Sequence, residues 1–249
     1  EYITNISIGR RAYGYLNSIT VVAGAAGAWR RTAIEQSGGY HTDSLAEDMD
    51  MTWRVRKSGW DVVNEPLAIG YTEAPEDWRG LYKQRFRWSY GALQCLWKHK
   101  DALGKHGFFG WFGVPSIFIF GCVFEILAPL ADLKMLLAVI SFIGIWLSDH
   151  PIYPGSLEYT DLVVPLITTA WLYVLFFGVE LMISVLAFRL DREDMRPLWL
   201  LFFQRFIYRQ LMYVVAWRAL WKAITGWRQG WGTLQRTGTV TSPQQTRRR

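Results

Sequence analysis

Polar and apolar positions follow two regimes along this chain. Before residue 107 they mix at short range, as in a folded polar domain. From 108 to 188 the apolar run is nearly unbroken, and the formal charges in it are Glu125, Asp132, Lys134, Asp149, Glu158, Asp161 and Glu180. So sparse a stretch predicts membrane spans. The candidates are 111–130, 133–147, 162–188 and 198–217. The second is short at about 15 residues against the usual ~20. The fourth carries Gln204, Arg205, Arg209 and Gln210, which are costly in lipid unless they face protein or the interface. Three or four spans are expected.

The first 107 residues read as part of an α/β domain. The β-branched run 19–23 predicts a strand, followed by the small-residue turn Gly24-Ala-Ala-Gly27. A short helix after Arg30 and Arg31 should end at Gly38-Gly39. Ser44-Leu-Ala-Glu47 has the capping-box pattern and should start a helix that runs to Ser58 and stops at Gly59. Segments 61–64 and 68–71 read as short strands split by Pro66. Pro75, Glu76 and Asp77 suit the first turn of a longer helix. On that helix Gln84, Arg87, Trp88 and Gly91 fall at i, i+3, i+4 and i+7 and share one stripe, with Tyr82, Phe86 and Leu93 opposite. The spacing predicts a helix lying on a membrane surface, apolar side down. The organisation expected is therefore a polar domain with an interfacial helix (1–107), transmembrane helices (108–223) and a basic tail (224–249).

Charge adds orientation. The net charge of +6 comes largely from Arg and Lys beside the apolar segments and at the end, the usual place for residues facing anionic lipid on the cytoplasmic side. The 148–161 loop has no Lys or Arg and should lie outside; the 189–196 loop has three Arg and should lie inside. A multi-pass protein of the cell (inner) membrane with its polar domain in the cytoplasm follows. The tail from Thr237 is polar and reads as disordered. Nucleic acid is not an expected partner: no recognition motif accompanies the charge, and the basic residues are not gathered in one polar domain. Cys95 and Cys122 lack a zinc spacing, and His41, His99, His106 and His150 make no metal pattern along the chain. The chain opens on Glu1 without a leader pattern, which suggests a piece of a longer protein.

Two motifs carry chemistry. Ala46-Glu-Asp-Met-Asp-Met-Thr-Trp53 resembles the acidic catalytic motif of membrane glycosyltransferases, with Ala46 where Thr is commoner. Gln84-Arg-Phe-Arg-Trp88 is their Q-x-x-R-W signature. Gly59-Trp60, Glu65-Pro66 and Gly24-Ala-Ala-Gly-Ala-Trp-Arg-Arg31 fall at fitting positions. The chain thus resembles the C-terminal half of a membrane-bound, processive family-2 glycosyltransferase. The poly-N-acetylglucosamine type is nearest, including at 231–238, with hyaluronan, chitin and cellulose synthases further off.

The resemblance implies part of a GT-A-type α/β domain followed by helical spans. It also implies an inverting β-glycosyltransferase that moves a sugar, N-acetylglucosamine, from a UDP-sugar to the end of a growing polysaccharide and aids its export. Inversion needs one base to take the acceptor hydroxyl's proton, which maps to Asp48. Charge developing on the leaving diphosphate suits a guanidinium, which maps to Arg87 with Gln84 beside it. Trp88 maps to the acceptor floor, with Gly24 and Glu47 near it. The family's Mg2+ or Mn2+ would be held by an upstream half, with no metal ligands in this chain. UDP-sugar, polysaccharide and the lipid bilayer are the implied partners, and a partner subunit is open. The competing reading is a non-catalytic membrane fragment or partner subunit lacking the nucleotide-binding half. Apart from the resemblance, acids in the first turn of a helix are also favoured simply by its dipole.

Overall fold

The computed structural model describes residues 2–68, 70, 72–147 and 159–226. They divide into two compact units, 9–125 with 211–226, and 2–8 with 126–210.

The first unit contains α1 (Ile8–Tyr15, all but its first residue), α2 (Arg31–Gln36), α3 (Glu47–Lys57), α4 (Trp78–Lys98), the start of the long helix Phe109–Leu147, and most of α9 (Arg209–Thr225). No strand occurs among the described residues, so the α/β expectation is not met. The physical reason lies in where the backbone groups go. A strand needs a neighbour about 4.8 Å away to exchange N–H and C=O bonds. The extended segment 18–24 is instead served by side chains of α3. Val22 N–H donates to Thr52 Oγ1 at 3.0 Å, Trp53 Nε1 donates to the Thr20 carbonyl at 2.9 Å, and Gly24 N–H donates to Asp48 Oδ2 at 3.1 Å. Residues 61–64 are likewise without a ladder; the Arg56 guanidinium ties the start of that stretch, at the Trp60 carbonyl and the Asp61 carboxylate, to Asn17. Of the predicted strand 68–71, residues 69 and 71 lie outside the described residues.

The helix signals fare unevenly. α3 ends at Lys57, and Gly59 takes the left-handed φ of +88° that the stop requires. Its start departs from the capping-box expectation: Ala46 is the N-cap and no side chain caps it. Ser44 Oγ is drawn away to the Ala46 N–H at 3.2 Å and to Cys95 Sγ at 3.4 Å. α4 starts as its acidic entry predicts, with Asp77 accepting from Gly80 N–H at 2.6 Å.

The two faces of α4 are both covered by protein. Phe86 and Tyr90 stack and are buried with Leu45 against Val215 and Ala219 of α9. The face expected to lie on lipid therefore packs on a helix. The opposite face, Gly91, Gln94, Cys95 and Lys98, lies on residues 43–50. At Gly91 the two backbones close so far that an added Cβ would stand 2.6 Å from the Ala46 Cβ. Below this seam Met49, Trp53, Cys95, Ala102, Phe109 and Val114 form a buried cluster, with Trp53 edge-on to Phe109.

The second unit holds most of α6 (Phe124–Leu147), α7 (Val164–Asp191) and α8 (Leu200–Phe203), a π-type turn from Gln204 to Tyr208 leading into α9. Candidates 111–130 and 133–147 are one uninterrupted helix, Phe109–Leu147. With Val164–Asp191 it makes two described helices long and apolar enough to cross a membrane. At 1.5 Å per residue, the 28 residues of α7 reach about 42 Å, more than the ~30 Å hydrocarbon core. The charges of the fourth candidate face protein: Arg205 pairs with Glu180 at 2.7 Å and Arg209 with Asp132 at 3.1 Å, while Tyr173 also bonds Asp132. The loop 148–158 and the tail 227–249 lie outside the described residues, and with them the expectations about an outside loop and a disordered tail.

Gly91→Ala should strain the seam without touching a charge. We expect a loss of about 1–3 kcal/mol, read as a lower unfolding midpoint in detergent; an unchanged midpoint would mean that the backbones at Ala46 and Gly91 are free to part.

Candidate functional site

The candidate site is built on the first turns of α3 and one stripe of α4. The structure brings Gly24, Glu47 and Asp48 together: the missing Cβ of Gly24 would lie 3.7 Å from the Asp48 Cβ and 3.9 Å from Glu47 Oε1. Asp48 Oδ2 accepts from Gly24 N–H at 3.1 Å, and Oδ1 takes Met49 N–H at 2.8 Å. Both oxygens are therefore engaged by backbone donors at a loop and a helix start. Burial raises the Glu47 carboxyl above its ordinary value, and its own backbone bond and the Arg87 charge work against that rise. Arg87 therefore lies within electrostatic reach of Glu47.

On α4, Gln84 is buried and Arg87 and Trp88 are half-buried. The neighbour that the signature leaves unspecified, Arg85, is buried as well. It donates to Gln84 Oε1 at 2.8 Å, and its guanidinium carbon lies 4.3 Å from the Trp88 ring centroid. The aromatic face expected to form the acceptor floor is thus stacked under a protein cation. Sequence reading missed Arg85 because an open position within a motif carries no signal.

Further along the stripe is a cluster that the sequence did not announce. Asp50 is fully buried. Its Oδ2 takes Arg54 Nε at 2.9 Å, and its Oδ1 takes Lys98 Nζ at 2.9 Å and His99 Nε2 at 2.8 Å. An ionised carboxylate can only accept, so His99 carries its proton on Nε2. Burial acts to raise the Asp50 carboxyl, but the bonds from His99 and Lys98 outweigh it and hold the group far below the usual carboxylate range. Lys98 is pulled down by burial and up, more strongly, by Asp43 and Asp50.

His41, Asp43 and Asp50 place one ligand atom each within 4.8 Å of one another, a grouping not visible in the linear spacing. These residues do not fit a divalent ion. Lys98 Nζ already sits among them, at 2.7 Å from Asp43 Oδ1, 2.9 Å from Asp50 Oδ1 and 3.4 Å from His41 Nδ1. Its three N–H donors match those three acceptors. The positive charge at this position belongs to the protein.

These observations overturn the reading of the chain as a working inverting transferase that adds a UDP-sugar to a polysaccharide. The described residues supply no sheet to hold a nucleotide, and the acid and histidine cluster is closed on a lysine. The sequence-derived alternative, a non-catalytic membrane piece, fits better.

Comparison with known proteins sets this geometry in a family. The family model described as "Glycosyl transferase family group 2" matches residues 4–225. Among curated proteins, the poly-beta-1,6-N-acetyl-D-glucosamine synthase of Staphylococcus aureus (strain COL) is 29% identical over 96 residues, 39% of this chain and 23% of that enzyme. The synthase of the same name from Staphylococcus epidermidis is 24% identical over 145 residues, 58% of this chain and 33% of the enzyme. The matches thus span between 23% and 33% of these relatives. No solved structure matches.

Removing the Asp50 carboxylate should show its structural weight. Asp50→Ala leaves Lys98, His99 and Arg54 without their shared anion, and we expect a cost of about 3–5 kcal/mol. The sign with pH is fixed by the lowered carboxyl. Its contribution is complete above the unfolded value of about 3.9 and is lost as pH falls below that toward the depressed folded value. The stability gap between the parent chain and Asp50→Asn should therefore narrow on acidification below about pH 4. A gap that widens there would show that Asp50 is not the ionised hub.

Proposed function

Because the chain belongs to glycosyl transferase family group 2, we propose that it serves as a membrane-bound, non-catalytic helical part of a glycosyltransferase system, needing another polypeptide segment to supply the nucleotide site. The observation that supports this most strongly is the engagement of the motif residues. Asp48 caps a loop and a helix start, Asp50 closes on Arg54, Lys98 and His99, and Trp88 stacks under Arg85. Side chains held in this way build the α3–α4 seam. Gly24, Glu47, Gln84 and Arg87 form the exposed and half-buried rim beside it, and on this reading they are where the part meets a saccharide chain or the polypeptide that makes one.

The two apolar helices, Phe109–Leu147 and Val164–Asp191, place the part in a bilayer. A multi-pass arrangement in the cell membrane, with the seam on the cytoplasmic side, agrees with the Arg-rich 189–196 segment. The staphylococcal relatives are named for a β-1,6-linked N-acetylglucosamine polymer, which makes that saccharide the first to test. No divalent ion is assigned to this part.

The chain should be purified in detergent and supplied with radiolabelled UDP-N-acetylglucosamine and Mg2+ or Mn2+. We expect no labelled product from it alone. We also expect retention of the chain on a staphylococcal-type synthase segment that carries the nucleotide site. Sugar transfer by the purified chain alone would overturn the proposal.

A further inference from the structure

The turn that joins α4 to the long apolar helix is built to present aromatic and basic side chains outward. The inward set is complete without them: Cys95, His99, Ala102, Phe109 and Gly110 are buried. Between and beside these, Trp97 is 76% exposed, Leu103 59%, Phe108 59% and Trp111 73%. The geometry is held by a tight backbone. Gly104 and Gly107 have φ of +71° and +67°, and His106, a residue that is seldom left-handed, has +61°. Gly104 N–H bonds the Gly110 carbonyl at 2.9 Å, and Lys105 N–H bonds that of Ala102 at 3.0 Å. The Trp111 ring closes over Gly104, 3.8 Å from where a Cβ would stand. A turn stabilised at that conformational cost, with four large apolar side chains outside a finished core, is not leftover core.

The charge here has one sign. Lys100 and Lys105 are exposed, and Lys100 Nζ lies 4.8 Å from the Trp97 ring centroid. The nearby acid, Asp101, is bound to Lys57 at 2.7 Å. Exposed indoles beside lysines suit the headgroup level of a bilayer, where the ring straddles the boundary and the ammonium meets phosphate. The turn runs directly into the helix Phe109–Leu147, which by length and composition can cross a membrane.

We propose that residues 97–111 form an anchor for anionic phospholipid: Trp97, Leu103, Phe108 and Trp111 enter the headgroup layer, and Lys100 and Lys105 neutralise lipid phosphates. The anchor rests on the membrane reading given above. It specifies the class of lipid and the side chains that choose it. A protein partner is disfavoured because the continuous neighbour of the patch is an apolar membrane helix.

The test uses the full chain in detergent, with native mass spectrometry of bound phosphatidylglycerol against phosphatidylcholine. The parent should retain phosphatidylglycerol preferentially, and this preference should fall about fivefold for each lysine removed in K100S and K105S. The double Lys→Arg variant should keep it, which separates charge from misfolding. Trp97→Ser with Trp111→Ser should weaken both lipids alike. A preference unchanged in the double Lys→Ser variant would overturn the anchor, and so would equal competition by free inorganic phosphate or heparin, which would mark a general polyanion site. Recovery of the parent outside the membrane fraction of cells would instead overturn the membrane reading on which the anchor rests.

Discussion

The fully buried carboxylate of Asp50 is the constraint around which the first unit is organised. An ionised acid cannot be taken out of water unless its oxygens are matched by donors. Arg54, Lys98 and His99 provide them, and two of the three come from the far end of α4. The helix carrying the glycosyltransferase signature is therefore fixed against α3 by a polar requirement, not only by apolar packing. Lys98 extends the requirement to Asp43 and His41, and so ties the loop before α3 into the same seam. The close approach at Gly91 and Ala46 is what allows the charged groups to reach one another.

How much of this was legible in the sequence depended on range. The stop at Gly59 and the acidic entry to α4 are local and were readable. The stripe through Gln84, Arg87, Trp88 and Gly91 was readable from period alone, since side chains at those spacings must share a face. What that face would meet was not. Lys98 and His99 read as basic residues before an apolar run, because their partner Asp50 lies far away in sequence. Phe86 read as lipid-facing for the same reason: Val215 and Ala219, which cover it, come after the spans. The strand at 19–23 failed differently. Its β-branched residues favour extended backbone, and the segment is extended, but a ladder is a property of two segments, and α3 side chains took the bonds.

The family membership and the local geometry bear on different questions. The match over residues 4–225 says where the chain comes from. The engagement of Asp48, Asp50 and Trp88 within the protein bears on what these side chains have left to offer. A motif inherited from a catalytic family can persist because its residues also carry packing, and here the acidic motif and the Q-x-x-R-W helix are the two sides of one seam. In the second unit the polar residues within the apolar helices follow the same logic: Glu180 and Asp132 face Arg205 and Arg209 instead of lipid.

Cys95 lies within that seam, fully buried beside Ser44 and the Ala46 carbonyl. Burial pushes its thiol up to about 12, so at neutral pH the nucleophilic thiolate is scarce, and reagents have no path to it while the helices are closed. Its modification can then proceed only during moments when α3 and α4 separate. The rate at which this one sulfur is labelled becomes a clock for the breathing of the seam, and it reports the opening of a single contact inside a protein whose global unfolding in a membrane is hard to define.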